Sequence, residues 1–282
     1  IGIILINNIK VVSSITGMGS IFLSKNLKIR FLKYFIFVFL FISFKRKKNN
    51  IIVQNKDDYN FFLKKFNINK NRIFLIRGSG VDTNYFNYVK EPSVNSIIVT
   101  FVGRLIKDKG IETLFEAFKK VKNKNIYLLI AGNIDTSNPS AITEKYINSE
   151  LKKNKNITWL GEVKNIKKLW EKSHIAILPS KREGLPKSLL EAAASGRAII
   201  ATDVAGCREI AINNYNAITV KLDNVDELAA AIRYLATNHG IRKQFGIESR
   251  KLVEKDMSDE IIINKTISIY ESLYKSLNTE LR

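Results

Sequence analysis

A chain of 282 residues, 45% of them hydrophobic, is long enough to bury a sizeable core, and this length reads as two ordinary domains rather than one. Lys and Arg number 46 against 26 Asp and Glu, a formal net charge of +20 that favours polyanionic partners: nucleic acid, an anionic membrane leaflet or a phosphorylated substrate. The single cysteine, Cys207, excludes an internal disulfide and fits a reducing, cytoplasmic compartment, and the residue order does not suggest a cleaved secretory signal.

The chain opens on Ile1, already inside the apolar run IGIILI, the pattern of a fragment or a late start. Short β-branched runs then predict strands at 10–14, 51–54 and 73–76, with helices near 30–44 and 57–66. That is about half of a doubly wound domain. Within it, YFIFVFLFISF at 34–44 is uninterruptedly apolar and is followed at once by Lys45, Arg46, Lys47 and Lys48. The run falls short of the roughly 18 residues of a membrane span. Two readings stand: a helix packed between sheet and neighbours, or a helix dipping into a membrane interface with its basic tail on anionic headgroups, each cation adding on the order of 1 kcal/mol. The positive charge tilts the balance toward the second. The polar, proline-bearing segment VKEPSVNS at 89–96 predicts a linker. The domain limits are accordingly 1–92 and 93–257, followed by a helical stretch over 258–282.

From residue 96 onward, strand-length apolar runs at 97–102, 126–131, 157–160, 175–178, 198–201 and 217–220 alternate with helical patterns at 111–121, 140–154, 187–195 and 226–236. This is the βαβ signature of an α/β fold with a doubly wound parallel sheet, whose strands are apolar on both faces because helices cover both.

Glu183 and Glu191 stand either side of Gly184, Leu185 and Pro186. Pro186 suits an early helical position and Gly196 a helix end, so the helix begins just after Glu183. Its free N–H groups and positive dipole end then lie at the carboxyl edge of the sheet, where open α/β folds bind ligands, and a phosphate fits there. Glu191 projects from the helix body while Glu183 stays on the loop, so the two need not share a proton. A carboxylate accepts two hydrogen bonds from a vicinal diol, which a ribose and a hexose both offer. Gly103, Arg104 and Lys109 occupy a strand end and the entrance to the next helix on the same edge, where a guanidinium fork and a compact ammonium together neutralise a diphosphate. His174 and His239 read as structural or solvated. Cys207, with no histidine partner nearby in sequence, reads as a loop or helix-start residue and not as a nucleophile.

GRLIKDKG, then GEV, then SKREGLPKSLLEAAASGRAIIATDVAGCREI resemble the C-terminal nucleotide-sugar domain of the retaining glycosyltransferases of family four, over 96 to about 236. Upstream, SSITGMGSIF, IIVQNKDDYNFF and IRGSGVDTNYF are similar to the N-terminal domain of the bacterial subgroup that builds O-antigen, capsule and lipid-linked glycans. The resemblance implies a GT-B fold, two doubly wound Rossmann-like domains of which the first is incomplete. It implies that Arg104 and Lys109 hold the donor diphosphate, that Glu191 binds ribose hydroxyls, and that Glu183, beside Gly184 and Leu185, contacts the transferred sugar. Gly161 and Val163, flanking Glu162, match where the family's backbone meets the nucleobase. It also implies a nucleotide diphosphate sugar, UDP-linked, as the donor, and a polyisoprenyl-diphosphate-linked glycan as the acceptor, met at the anionic inner face of the cell membrane. In such a retaining transfer the departing phosphate helps deprotonate the acceptor on the same face, so no metal, cofactor or side-chain base is obligatory, and preorganised cations dominate. The chain has no Asp-x-Asp pair, and no recognised nucleic-acid module appears. Two departures stand out. The family's first strand and Gly-rich turn precede this chain's opening, and Thr16 stands where many relatives carry a histidine. They keep a second reading open, a truncated non-catalytic nucleotide-sugar-binding module that needs a partner chain.

Overall fold

The computed structural model describes residues 10–17, 27–46 and 48–280. The opening run 1–6, residues 18–22 of SSITGMGSIF, and Lys47 of the basic cluster lie outside them. The chain forms two compact units, Ile1–Gly80 with Glu260–Arg282, and Val81–Asp259.

In the first unit β1 (Val11–Ile15), β2 (Asn49–Val53) and β3 (Ile73–Leu75) form a parallel sheet in that order. Alternation along β2 divides the packing. Ile51 and Val53 face α1 (Leu27–Lys45) and α2 (Lys56–Phe66) through Phe37, Leu40, Phe44, Phe62 and Phe66. Ile52 points to the other face, where Val12, Phe74 and Ile76 meet Ile262 and Ile269 from the far end of the chain. Among the described residues α1 packs through one side, and Phe31, Tyr34, Phe35, Val38, Phe39, Phe41 and Ile42 are exposed. No described helix is long and apolar enough to cross a membrane. Arg72 closes the end of α1, its Nη2 donating to the carbonyls of Phe44 and Arg46 at 2.7 and 2.5 Å.

The second unit runs β4 (Ile97–Val102), α3 (Ile111–Val121), β5 (Ile126–Ala131), α4 (Glu144–Lys153), β6 (Ile157–Gly161), α5 (Ile166–Glu171), β7 (Ile175–Leu178), α6 (Lys187–Ala194), β8 (Ala198–Thr202), α7 (Ala205–Arg208), β9 (Ala217–Val220), α8 (Val225–Thr237) and α9 (His239–Asp256). Its parallel sheet has the order β6-β5-β4-β7-β8-β9, a doubly wound sheet whose direction of winding reverses between β4 and β7. Ile111, Leu114, Phe115, Phe118 and Val121 bury one stripe of α3 against it.

The α/β architecture agrees with the sequence expectation, with local differences. α4 starts at 144 rather than 140 because Thr143 Oγ1 accepts from the Tyr146 amide at 3.3 Å, while Asn138 Oδ1 holds the preceding turn through the Ser140 amide at 2.9 Å. α6 stops at Ala194. Gly196, left-handed at φ 75°, donates its amide to the Ala193 carbonyl at 3.0 Å. α9 occupies a stretch where no element was expected. Segment 89–96 belongs to the second unit, where the buried Arg197 guanidinium donates to the carbonyls of Val89, Ser173 and Ser195. His174 accepts from the Ile98 amide at Nδ1, 3.1 Å, and donates from Nε2 to the Pro92 carbonyl, 3.2 Å. Burial holds its pKa below the ordinary histidine value. His239 is exposed, 3.6 Å from Glu91. The unit's entry and exit are tied together: the Val81 amide donates to the Met257 carbonyl and the Asp259 amide to the Val81 carbonyl, both at 3.1 Å. From there the chain runs into α10 (Asp259–Glu280).

Candidate active site

Because β4 and β7 are neighbours, the residues following them emerge side by side on the carboxyl edge of the sheet. After β4, the Gly103 amide donates to the Ala131 carbonyl at 3.0 Å and the Leu105 amide to the Asn133 carbonyl at 2.9 Å, binding this loop to the one after β5. A short turn over 107–109 ends at Gly110, left-handed at φ 72°. A Cβ at Gly110 would lie 1.9 Å from the Pro179 carbonyl oxygen, so only glycine lets the β4 loop rest on the loop after β7. The Lys181 amide, donating to the Asp108 carbonyl at 2.8 Å, fastens the same junction. Lys109 Nζ thereby comes within 2.6 Å of Glu183 Oε1, with the two side chains only 20% and 10% exposed.

Arg104 Nη1 lies 2.6 Å from Asp135 Oδ2. A hydrogen bond from Ser137 first, and the guanidinium second, hold the Asp135 carboxyl below its ordinary range. One loop further, Asn133 Nδ2 donates to Glu162 Oε2 at 3.0 Å and joins the β5 loop to Gly161 and Val163 at the end of β6. Asn133, Asp135 and Ser137 were not foreseen. Their signal was positional: Asp135 follows β5 as Arg104 follows β4, and these strands are partners.

α6 begins at Lys187 after Pro186, which caps it without a side-chain hydrogen bond. Glu191 thus sits just past the first turn. Burial pushes its carboxyl up, while Lys187, with Nζ 3.9 Å from Oε1, pulls the other way. The loop of Glu183, Gly184 and Leu185 is held from behind by α7: the Gly206 amide donates to the Glu183 carbonyl at 3.2 Å, and a Cβ on Gly206 would lie 2.4 Å from the Gly184 carbonyl oxygen. Next to it Cys207 is buried and its thiol is pushed far up, which removes it as a nucleophile. Thr16 is exposed at the end of β1 in the other unit. The second unit therefore brings Lys109 against Glu183, sets Arg104 against Asp135, and links Gly161 and Val163 to the β5 loop. Two cations and a helix start without a side-chain cap share one sheet edge, an arrangement that can receive a polyanion bearing hydroxyls.

Solved structures share this fold. A glycosyltransferase from Rickettsia africae matches with TM-score 0.75 at 22% identity, over 94% of this chain and 70% of its own. A sucrose-phosphate synthase from Thermosynechococcus elongatus matches with TM-score 0.80 at 19% identity, over 94% and 68%. Anabaena Alr3699/HepE, solved in complex with UDP, matches with TM-score 0.78 at 15% identity, over 93% and 72%. The architecture is that of GT-B glycosyltransferases. Among curated relatives, an N,N'-diacetylbacillosaminyl-diphospho-undecaprenol alpha-1,3-N-acetylgalactosaminyltransferase from Campylobacter jejuni is 25% identical over 93% of this chain. The capsular polysaccharide biosynthesis glycosyltransferase CapM from Staphylococcus aureus is 28% identical over 64% of it. The chain spans 70% of the first relative's length and 47% of the second's. The family model described as glycosyl transferases group 1 matches residues 87–252, more than half of the chain and all of the constellation above, and the chain belongs to that family.

Proposed function

We propose that the chain moves a hexose or N-acetylhexosamine, with retention, from a UDP-linked donor to a polyisoprenyl-diphosphate-linked glycan in cell-envelope polysaccharide synthesis. The observation that carries this reading is the contact of Lys109 with Glu183 where the winding of the sheet reverses. Lys109 and Arg104 lie against the donor diphosphate, and the first turn of α6 adds N–H groups to the same charge. Glu183 accepts hydroxyl hydrogens from the sugar being transferred, Glu191 those of the ribose, and the backbone at Gly161 and Val163 meets the base. In the reaction the bond from the anomeric carbon to the diphosphate oxygen breaks, and the acceptor oxygen bonds to that carbon on the same face. The acceptor proton passes to the departing phosphate. The names of relatives support the substrate classes: the Campylobacter enzyme acts on a diphospho-undecaprenol-linked sugar, and HepE is solved with UDP and with UDP-glucose.

An anionic membrane surface is the proposed place of work. The wide apolar face of α1 ends at Lys45, whose Nζ lies 4.7 Å from the centroid of the Phe41 ring, followed by Arg46 and Lys48. Incubation with UDP-sugars and a polyprenyl-diphosphate saccharide in liposomes, with and without chelator, read by mass spectrometry, tests the assignment. An elongated lipid product in chelator is expected. UDP binding without transfer would leave the non-catalytic module, and no UDP binding would overturn both readings.

A further inference from the structure

The chain has two tryptophans, and their indoles differ in what they donate to. Trp159 Nε1 donates to the Gly132 carbonyl at 2.9 Å. Trp170 Nε1 has no acceptor in hydrogen-bonding geometry among the described residues, although the side chain is 1% exposed and sits in the core of the second unit. A buried donor left unmade costs about 1–3 kcal/mol, and a phenylalanine would fill the space without that cost. An indole at this position therefore calls for an acceptor.

α5, which carries Trp170, packs on α6, and the group that faces the indole is the Glu191 carboxyl. That carboxyl is itself incompletely satisfied. Burial raises its pKa, Lys187 and then the indole lower it, and Lys187 Nζ at 3.9 Å is beyond hydrogen-bond reach. The indole is held from behind. Asn165 Oδ1 accepts from the Lys168 amide at 2.9 Å and starts α5, the Ser173 amide donates to the Trp170 carbonyl at 3.0 Å, and the Ser173 hydroxyl donates to the Leu169 carbonyl at 2.7 Å. We infer that Trp170 is a positioning residue of the donor site, its indole N–H bonding to one oxygen of Glu191 while the carboxylate accepts from a pair of vicinal hydroxyls. The inference rests on the proposed role of Glu191 at the ribose. An ionised carboxylate has about four lone-pair sites on its two oxygens, and a vicinal diol takes one on each. The indole takes a third from the core side, which fixes the plane of the carboxylate and offsets the cost of shielding its charge from water. A phenylalanine would pack there but leave the carboxyl to rotate or to hold a proton, and a protonated carboxyl no longer accepts from both hydroxyls.

Two measurements on the full chain test this. In calorimetry with UDP, Trp170→Phe is expected to weaken binding about three- to tenfold, the lower part of the range of a charge-assisted hydrogen bond. In a Glu191→Ala background the same change should alter affinity by less than about twofold, because the indole then has nothing to position. A tryptophan that served packing alone would cost the same in both backgrounds. In nitrogen–proton correlation NMR the two indoles give separate signals, and Trp159→Phe identifies that of Trp170. This signal should move on Glu191→Ala and on addition of saturating UDP, and should stay in place when UDP is added to the Glu191→Ala chain. Equal losses in the two backgrounds, or a Trp170 signal that Glu191→Ala leaves unmoved, would overturn the inference with UDP binding intact. A parent chain without UDP affinity would instead overturn the reading on which it rests, and the inference with it.

Discussion

Glu183 and Glu191 share one loop-helix segment but differ in surroundings, and so in expected phenotype. Glu183 is bound to a cation at 2.6 Å, whereas Glu191 is buried in the body of α6 with Lys187 only at 3.9 Å. Glu191→Gln is expected to weaken donor binding about 10- to 100-fold, the range of a charge-assisted hydrogen bond, and Glu183→Gln to lower kcat with donor KM nearly unchanged. Calorimetry with UDP and steady-state kinetics separate the two; equal affinity losses with normal turnover would contradict the assignment. Glu191 also has a stability signature. Its folded pKa is raised by burial, so the ionised form is disfavoured in the folded state. Its contribution is fully present below the unfolded pKa and is lost as pH rises through the folded one. Glu191→Gln should therefore melt higher than the parent at neutral pH, and the difference should vanish as pH falls below the ordinary glutamate range, which melting curves at a series of pH values will show. Lys109→Ala strands a shielded carboxylate, and kcat/KM is expected to fall about 100-fold or more.

At the level of elements, the junction between the β4 and β7 loops depends on an absent side chain. Gly110→Ala would drive a methyl into the Pro179 carbonyl, so UDP affinity should fall even though position 110 offers a ligand nothing. Calorimetry on a variant that still melts cooperatively checks this. For α1, binding to anionic liposomes should fall with salt, since about 0.15 M salt shortens the reach of exposed charges to roughly 8 Å. Neutralising Lys45, Arg46, Lys47 and Lys48 should remove most of the dependence on lipid charge and keep the fold. Unchanged cosedimentation would return the segment to a purely structural role. The strands of the second unit were legible because buried parallel strands are uniformly apolar: 97–102, 126–131, 175–178 and 217–220 coincide with β4, β5, β7 and β9. α9 was not, because its inward positions are Arg242, Phe245, Gly246, Ser249 and Val253, a stripe that periodicity in apolar residues misses. The polar members are satisfied by distant partners: Arg242 by Glu91 and the Leu235 carbonyl, Ser249 by Asn216. The site was legible as residue types at strand ends. Its pairings were not, since Arg104 with Asp135 and Lys109 with Glu183 span 31 and 74 positions and follow from strand order alone.

Across the whole molecule, the second unit is an insertion within the first, entered at Val81 and left at Asp259 through one pair of backbone hydrogen bonds. Residues 81–259 alone are expected to fold cooperatively and to keep UDP affinity within about threefold, since the proposed donor contacts lie inside that span, while losing transfer. Calorimetry and a transfer assay on the excised unit check both parts, and loss of UDP binding would place donor contacts elsewhere. The same arrangement imposes an order on synthesis. A ribosome emits the three described strands of the first unit, then the second unit, and only afterwards Ile262 and Ile269. Through that interval one face of the nascent sheet, with Val12, Ile52 and Phe74, stands uncovered while a complete core forms downstream. Maturation order is thus expected to oppose chain order: the later-made unit completes its core first, and the earlier one waits for Ile262 and Ile269.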